Sequence, residues 1–66
     1  MKRFKFNRNV YSDKAIEAAI LAFKNHATML VSYKKKYAIV SFIQCRYDET
    51  QTVKEFENYM IGVENT

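Results

Sequence analysis

The segment Tyr37–Gln44, with the sequence YAIVSFIQ, constrains the fold of this chain more than any other stretch. It combines β-branched and aromatic residues and contains no Gly or Pro, which is typical of a β-strand. Both of its alternating faces are largely apolar, with Ala38, Val40 and Phe42 on one face and Tyr37, Ile39 and Ile43 on the other. A strand of this kind is usually central in its sheet and covered on both sides.

The short length of the chain makes such a strand difficult to cover. Its 66 residues predict a single domain over residues 1–66. A domain of this size buries only about 60% of its unfolded surface, and its core alone supplies little stability. Cys45 is the sole cysteine, so an intrachain disulfide is excluded, and no Cys/His cluster predicts a zinc site. Because 48% of the residues are apolar, we expect a folded chain that associates as a homodimer or other homo-oligomer, or with a protein partner.

Targeting signals and charge indicate the compartment of the protein and the kind of partner it could attract. The basic N-terminus is not followed by the apolar run of a signal peptide, and no segment is apolar over the length of a bilayer. With one free cysteine, this predicts a cytoplasmic protein that does not bind membranes. The net charge is +8 over residues 1–46 and −4 over residues 47–66. This asymmetry could steer anionic partners to one side, although a mixed solvated surface explains the same charges.

Two further strands and one helix are predicted in the sequence before the apolar strand. Arg3–Asn7 alternates charged and aromatic residues, as half-buried edge strands do, and Thr28–Tyr33 has strand composition. Asp13–Asn25 predicts an Ala-rich helix that begins after the N-cap Ser12. Its apolar stripe consists of Ile16, Ala19, Ile20 and Phe23.

A second helix is predicted after the apolar strand. It has two possible starts, because Asp48 with Gln51 and Thr52 with Glu55 both fit the capping-box pattern. Gly62 suits the residue just past its end, which leaves residues 64–66 as a frayed tail. Its apolar stripe consists of Val53, Phe56, Met60 and Val63.

The element order β-α-β-β-α predicts the topology. A right-handed crossover makes the first two strands parallel if they share a sheet, and the third strand then fits between them. We predict an α+β fold with a three-stranded sheet of order 1-3-2 and two helices on one face, a ferredoxin-like unit lacking its last strand. Two surfaces of this unit stay open for a partner, the edge of the first strand and the helix-free sheet face. The predicted partner-binding residues are Phe4, Lys5 and Phe6 on the edge and Tyr37, Ile39 and Ile43 on the face.

The sequence contains no recognisable catalytic, cofactor or metal site. His26 and Cys45 have no second ligand or base nearby in sequence, and a helix-end surface histidine and a packed thiol are the ordinary interpretations. Asp48 is explained by helix capping. Gly62 is the only glycine, so no Gly-rich loop is available to bind phosphate. We therefore predict a protein that is not an enzyme and has no cofactor.

Lys34, Lys35 and Lys36 lie between Tyr33 and Tyr37, which suggests an alternative function. Cations beside aromatic rings are typical of proteins that bind single-stranded nucleic acids. A solvated hairpin tip that resists aggregation explains the same residues, and neither an RNP-type nor a GXXG motif is present. A nucleic-acid-binding protein is therefore one alternative, and a purely structural homo-oligomer is another.

Two segments of the chain resemble a known family. Residues 6–19 read FNRNVYSDKAIEAA and are followed four residues later by Phe23, and residues 55–62 read EFENYMIG. This pattern is similar to the HxsD-like proteins of the His-Xaa-Ser system, which are encoded beside radical SAM enzymes that modify ribosomal peptides. Many of these proteins continue into an Arg-containing tail, whereas this chain stops soon after Gly62. The resemblance implies an accessory protein that binds a peptide or a radical SAM enzyme, and it supplies no active site.

Overall fold

The computed structural model describes residues 2–65, which form five elements. These are the strands β1 (Lys2–Asn7), β2 (Ala27–Tyr33) and β3 (Tyr37–Cys45) and the helices α1 (Asp13–Phe23) and α2 (Glu49–Glu64). β3 lies between β1 and β2 and is antiparallel to both. The predicted α+β class, element order and strand order 1-3-2 are therefore confirmed.

The core lies between the two helices and one face of the sheet. Val40 and Phe42 of β3 are fully buried, and so is Ala38. The Phe42 and Phe56 rings meet edge to face with centroids 5.3 Å apart, which joins the middle of the sheet to α2. The other fully buried apolar residues of the helices are Ala15, Ile16, Ala19 and Met60.

Both helices begin at side-chain caps. The Ser12 hydroxyl accepts a hydrogen bond from the Ala15 N–H at 3.1 Å, as its sequence position predicts. Of the two predicted starts of α2, the start at Asp48 is correct, because its carboxylate accepts from the Gln51 N–H at 2.9 Å. Thr52 instead lies buried in the first turn, where its hydroxyl donates to the Asp48 carbonyl at 2.8 Å.

The predicted end of α2 is wrong. Gly62 lies within the helix rather than after it, and its φ is not positive. Val63 packs against the core, and the Glu64 carboxylate accepts a hydrogen bond from the Ser12 N–H at 2.7 Å. These tertiary contacts hold the helix together past a residue that helices often use as a stop, so the predicted fraying is also wrong for Glu64. Thr66, part of the same predicted tail, lies outside the described residues.

α1 also ends differently from the prediction. It stops at Phe23 rather than Asn25, and the His26 N–H then donates to the Phe23 carbonyl at 2.9 Å. This bond closes a tight turn that leads directly into β2 at Ala27. Over residues 2–65, no helix is both long enough and apolar enough to cross a bilayer.

Candidate partner-binding surfaces

The sheet face directed away from the helices is the first candidate site. Alternation along β3 places Tyr37, Ile39 and Ile43 on this face, and Leu30 of β2 joins them. Tyr37 is 42% exposed, Ile43 is 39% exposed and Leu30 is 64% exposed. We call these four residues the open face. The chain thus presents an apolar strip along the middle of its sheet.

Cations border the open face on the β1 side. The register of β1 with β3 places Arg3 and Lys5 on this face. The Lys5 ammonium lies 5.6 Å from the centre of the Tyr37 ring, within the range of a cation–π contact. A shallow depression of about 520 Å³ begins at Arg3 and extends across the strip to Leu30. The arrangement suits a partner that offers apolar side chains next to acidic ones.

The aromatic side chains of β1 point to the helix side of the sheet, where Phe6 is part of the core and Phe4 packs against it. Phe6 is only 5% exposed, and its ring lies 6.0 Å from that of Phe56. Phe4 packs against the core, where it meets the Phe42 ring edge to face at 5.7 Å. A partner strand at this edge would therefore pair with main-chain groups of β1 and not with the buried Phe6 ring.

The backbone of β1 does have outward-facing hydrogen-bonding groups. Just past the strand, the Arg8 N–H donates to the Lys36 carbonyl at 2.9 Å. Residues alternate between bonding inward and outward along an antiparallel ladder. The N–H and C=O groups of Arg3, Lys5 and Asn7 consequently point away from β3. The predicted edge site thus reduces to these main-chain groups and the basic side chains of the strand.

The edge of β2 is a second exposed edge that the sequence interpretation did not identify. Val31 and Tyr33 point to the helix side of the sheet, yet they remain 37% and 38% exposed. A groove of about 560 Å³ separates them from α1; it is lined by Glu17, Ile20, Leu21, Lys24, Val31 and Tyr33. The signal in the sequence was the absence of charge from Ala27–Tyr33, whereas Lys2–Asn7 holds three cations.

The basic hairpin tip does not form a continuous stacking surface with its two tyrosines. Lys34, Lys35 and Lys36 are exposed between β2 and β3. Tyr33 pairs with Ala38 and therefore points to the helix side, whereas Tyr37 points to the open face. The structure thus places the two rings on opposite sides of the sheet, with the lysines between them.

Arg8 anchors this hairpin to the start of α1. Its guanidinium donates to both carboxylate oxygens of Asp13, at 3.0 and 2.6 Å, and also to the Lys34 carbonyl. The guanidinium carbon lies 5.4 Å from the centre of the Tyr33 ring. The hydrogen bond to Asp13 raises the pKa of Arg8 above its usual value. Arg8 therefore fixes the position of the tip from which Tyr37 projects.

His26 lies among aromatic rings, and Cys45 lies against the core. The exposed His26 ring lies between those of Phe23 and Tyr47, at 5.4 and 5.6 Å. Cys45 packs against the core, and burial raises the pKa of its thiol, which lowers the thiolate fraction. Within residues 2–65, no group of three or more His, Cys, Asp or Glu side chains could hold a metal ion.

Comparisons of the chain with protein-family models, with curated proteins and with solved structures gave no match. The surfaces described above are therefore the basis for a functional proposal.

Proposed function

We propose that this protein is a non-catalytic accessory protein that binds an enzyme or a peptide on the open face. The observation that carries the proposal is the exposure of Tyr37 and Ile43 on β3, the strand that also forms the centre of the core. Burying the exposed part of each of these side chains against a partner contributes roughly 1 kcal/mol. Exposed apolar strips of this kind are typical of interaction sites.

The chemistry of the face and the sequence resemblance together define the partner to test. Arg3 and Lys5 favour a partner with acidic groups beside its apolar contact. The resemblance to HxsD-like proteins indicates a radical SAM peptide maturase or its precursor peptide. A cytoplasmic location is part of this proposal, because a single unpaired cysteine is typical of proteins in reducing compartments.

The decisive experiment measures binding to the products of neighbouring genes. A radical SAM enzyme and a short precursor peptide encoded beside this chain are purified and titrated with it by calorimetry. Replacing Ile39 and Ile43 together by Thr preserves strand propensity and removes apolar contact. We expect this double variant to bind about tenfold more weakly, which corresponds to a loss of about 1.4 kcal/mol in binding free energy.

The control for this experiment is Ile61→Thr, which changes an isoleucine on α2 that is 44% exposed and distant from the open face. It should leave the affinity unchanged. Equal affinity of the Ile39→Thr/Ile43→Thr variant and the native chain would contradict the open-face site. A gene neighbourhood without a radical SAM enzyme would contradict the proposed partner.

Strand addition at β1 is a second mode for the same function, favoured by the outward main-chain groups of this edge. An extended peptide would pair with Arg3, Lys5 and Asn7 and extend the sheet. Lys5→Pro removes one outward N–H without removing a β1–β3 hydrogen bond, since proline is tolerated on edge strands. If the peptide binds here, Lys5→Pro should weaken binding more than Lys5→Thr, which keeps the N–H. Equal effects would exclude this mode.

Binding of single-stranded nucleic acid is the alternative function, and the exposure of Lys34, Lys35 and Lys36 supports it. Its test is the affinity for a fluorescent single-stranded RNA as the salt concentration rises. Replacing all three lysines by Ala should weaken binding and flatten the salt dependence, because released counterions drive such binding. An affinity that does not change on this substitution would eliminate the alternative.

A further inference from the structure

We propose that a second copy of this chain pairs with the edge of β2, so that two three-stranded sheets join into one of six strands. The two free edges of the described sheet differ in charge. β1 carries Lys2, Arg3 and Lys5, which would repel the same strand of another copy. β2 carries no charge over Ala27–Tyr33, and its Leu30 and Val31 are exposed on opposite faces. An uncharged edge of this length is open to pairing with another strand.

The backbone of β2 allows symmetric pairing. At the start of the hairpin, the Lys34 N–H donates to the Tyr37 carbonyl at 2.7 Å. By alternation along the ladder, the N–H and C=O groups of Met29, Val31 and Tyr33 point away from β3. A two-fold axis at Val31 pairs this residue with its own copy and Met29 with Tyr33 of the second copy. The irregularity between Thr28 and Met29 lies outside this paired segment.

α1 is self-complementary about the same axis. α1 ends at Phe23, shortly before β2 begins at Ala27, and Tyr33 at the end of β2 lines a groove with Glu17 in the first half of α1. α1 therefore runs opposite to β2, and Leu21 and Val31 line the same groove. The axis at Val31 thus passes near Leu21, which is 65% exposed.

The charges on this side of α1 favour a second copy as the occupant. Glu17 and Lys24 border the groove on either side of Leu21, about 10 Å apart along the helix. When the α1 helices of the two copies lie antiparallel about this axis, Glu17 of each copy faces Lys24 of the other. The two Leu21 side chains then meet at the axis. The surface is therefore complementary to itself both in the arrangement of its charges and in its apolar contact, as a two-fold interface requires.

The test measures mass by sedimentation equilibrium on the full chain over a range of concentrations. The native chain should approach twice its 7.8 kDa mass. Val31→Lys places a charge on the axis and should give a monomer in sedimentation. Circular dichroism should show that this monomer is folded. Glu17→Lys and Lys24→Glu should each weaken the dimer about tenfold or more, because the symmetry makes each reversal act twice. The double variant Glu17→Lys/Lys24→Glu restores both pairs and should restore the dimer.

Two controls separate this interface from the open face. Lys5→Glu on β1 and the Ile39→Thr/Ile43→Thr variant should both dimerise as the native chain does. The inference does not rest on the proposed function, since partner binding at the open face requires no β2 pairing. A native chain that is monomeric at every concentration, a dimer that survives Val31→Lys, or a double reversal that fails to recover dimerisation would each overturn it.

Discussion

The carboxylate of Glu64, at the end of α2, accepts a hydrogen bond from the backbone N–H of Ser12 at 2.7 Å. Ser12 is itself the N-cap of α1, and its hydroxyl accepts from the Ala15 N–H. In a capping box, the side chain three residues after the cap returns to the cap N–H. That position is the fully buried Ala15, which cannot do so, and Glu64 supplies the carboxylate from the other helix. The two helices are thereby joined at one end of the core.

The pH dependence of stability should include a contribution from this contact. The hydrogen bond to Ser12 lowers the pKa of Glu64 below its ordinary value of 4.5. A lowered folded-state pKa means that the contribution is present above that ordinary value and is lost as the pH falls through the folded-state pKa. Glu64→Gln keeps an acceptor oxygen and removes the charge. We expect its melting temperature to be lower than that of the native chain at neutral pH, with the difference shrinking in acid.

The matched control for Glu64 is Glu55→Gln, which removes a carboxylate from the exposed side of the same helix. Melting followed by circular dichroism over the acidic range compares the three proteins. If the difference in melting temperature between the native chain and Glu64→Gln stays constant from neutral pH into acid, the charge of Glu64 does not contribute to stability through Ser12.

The side-chain cap of α1 should be measurable independently of Glu64. Ser12→Ala removes the acceptor for the Ala15 N–H but keeps the backbone N–H that bonds Glu64. Loss of an N-cap costs about 1 kcal/mol in the free energy of unfolding. Urea denaturation measures this cost. Asn9→Ala, at an exposed position in the preceding turn, is the control and should change the free energy by less. Equal costs for the two variants would indicate that the cap does not stabilise α1.

Core packing should distinguish two isoleucines that undergo the same chemical change. Ile16 is fully buried between α1 and the sheet, whereas Ile61 is 44% exposed on α2. Ile16→Val removes one buried methylene and should lower the free energy of unfolding by about 0.5–1.5 kcal/mol. Ile61→Val should stay within about 0.5 kcal/mol of the native value. Urea midpoints with unchanged slopes test this, and a reversed order would contradict the burial of α1.

The features that the sequence predicted depend on local patterns and simple chain geometry. Tyr37–Gln44 is apolar on both faces, which is typical of central strands. It occupies the centre of the sheet, where both of its edges pair with a neighbouring strand. Ser12 and Asp48 could be identified as caps because their partners lie three residues further on. The separation of Val40 from Ile39 onto opposite faces follows from strand alternation.

The features that the sequence did not predict depend on residues distant in the chain. Gly62 has the composition of a helix end, but the contacts of Val63 and Glu64 hold α2 together past it. Val31 and Tyr33 have the alternation of core residues, yet the helices leave them over a third exposed at the edge of the sheet. How far two helices extend across three strands is a property of the packed layers, and no local pattern encodes it.

The anchoring of the hairpin by Arg8 gives a final prediction. Lysine cannot reproduce the two bonds to Asp13, the bond to the Lys34 carbonyl and the cation–π contact with Tyr33 at the same time. Arg8→Lys should therefore loosen the tip while the fold persists. We expect faster hydrogen exchange at the Lys34 amide, which bonds the Tyr37 carbonyl, than in the native chain. Arg46→Lys, at the other end of β3, should leave that exchange unchanged. Equal exchange in Arg8→Lys and the native chain would show that the main-chain bonds alone hold the tip in place.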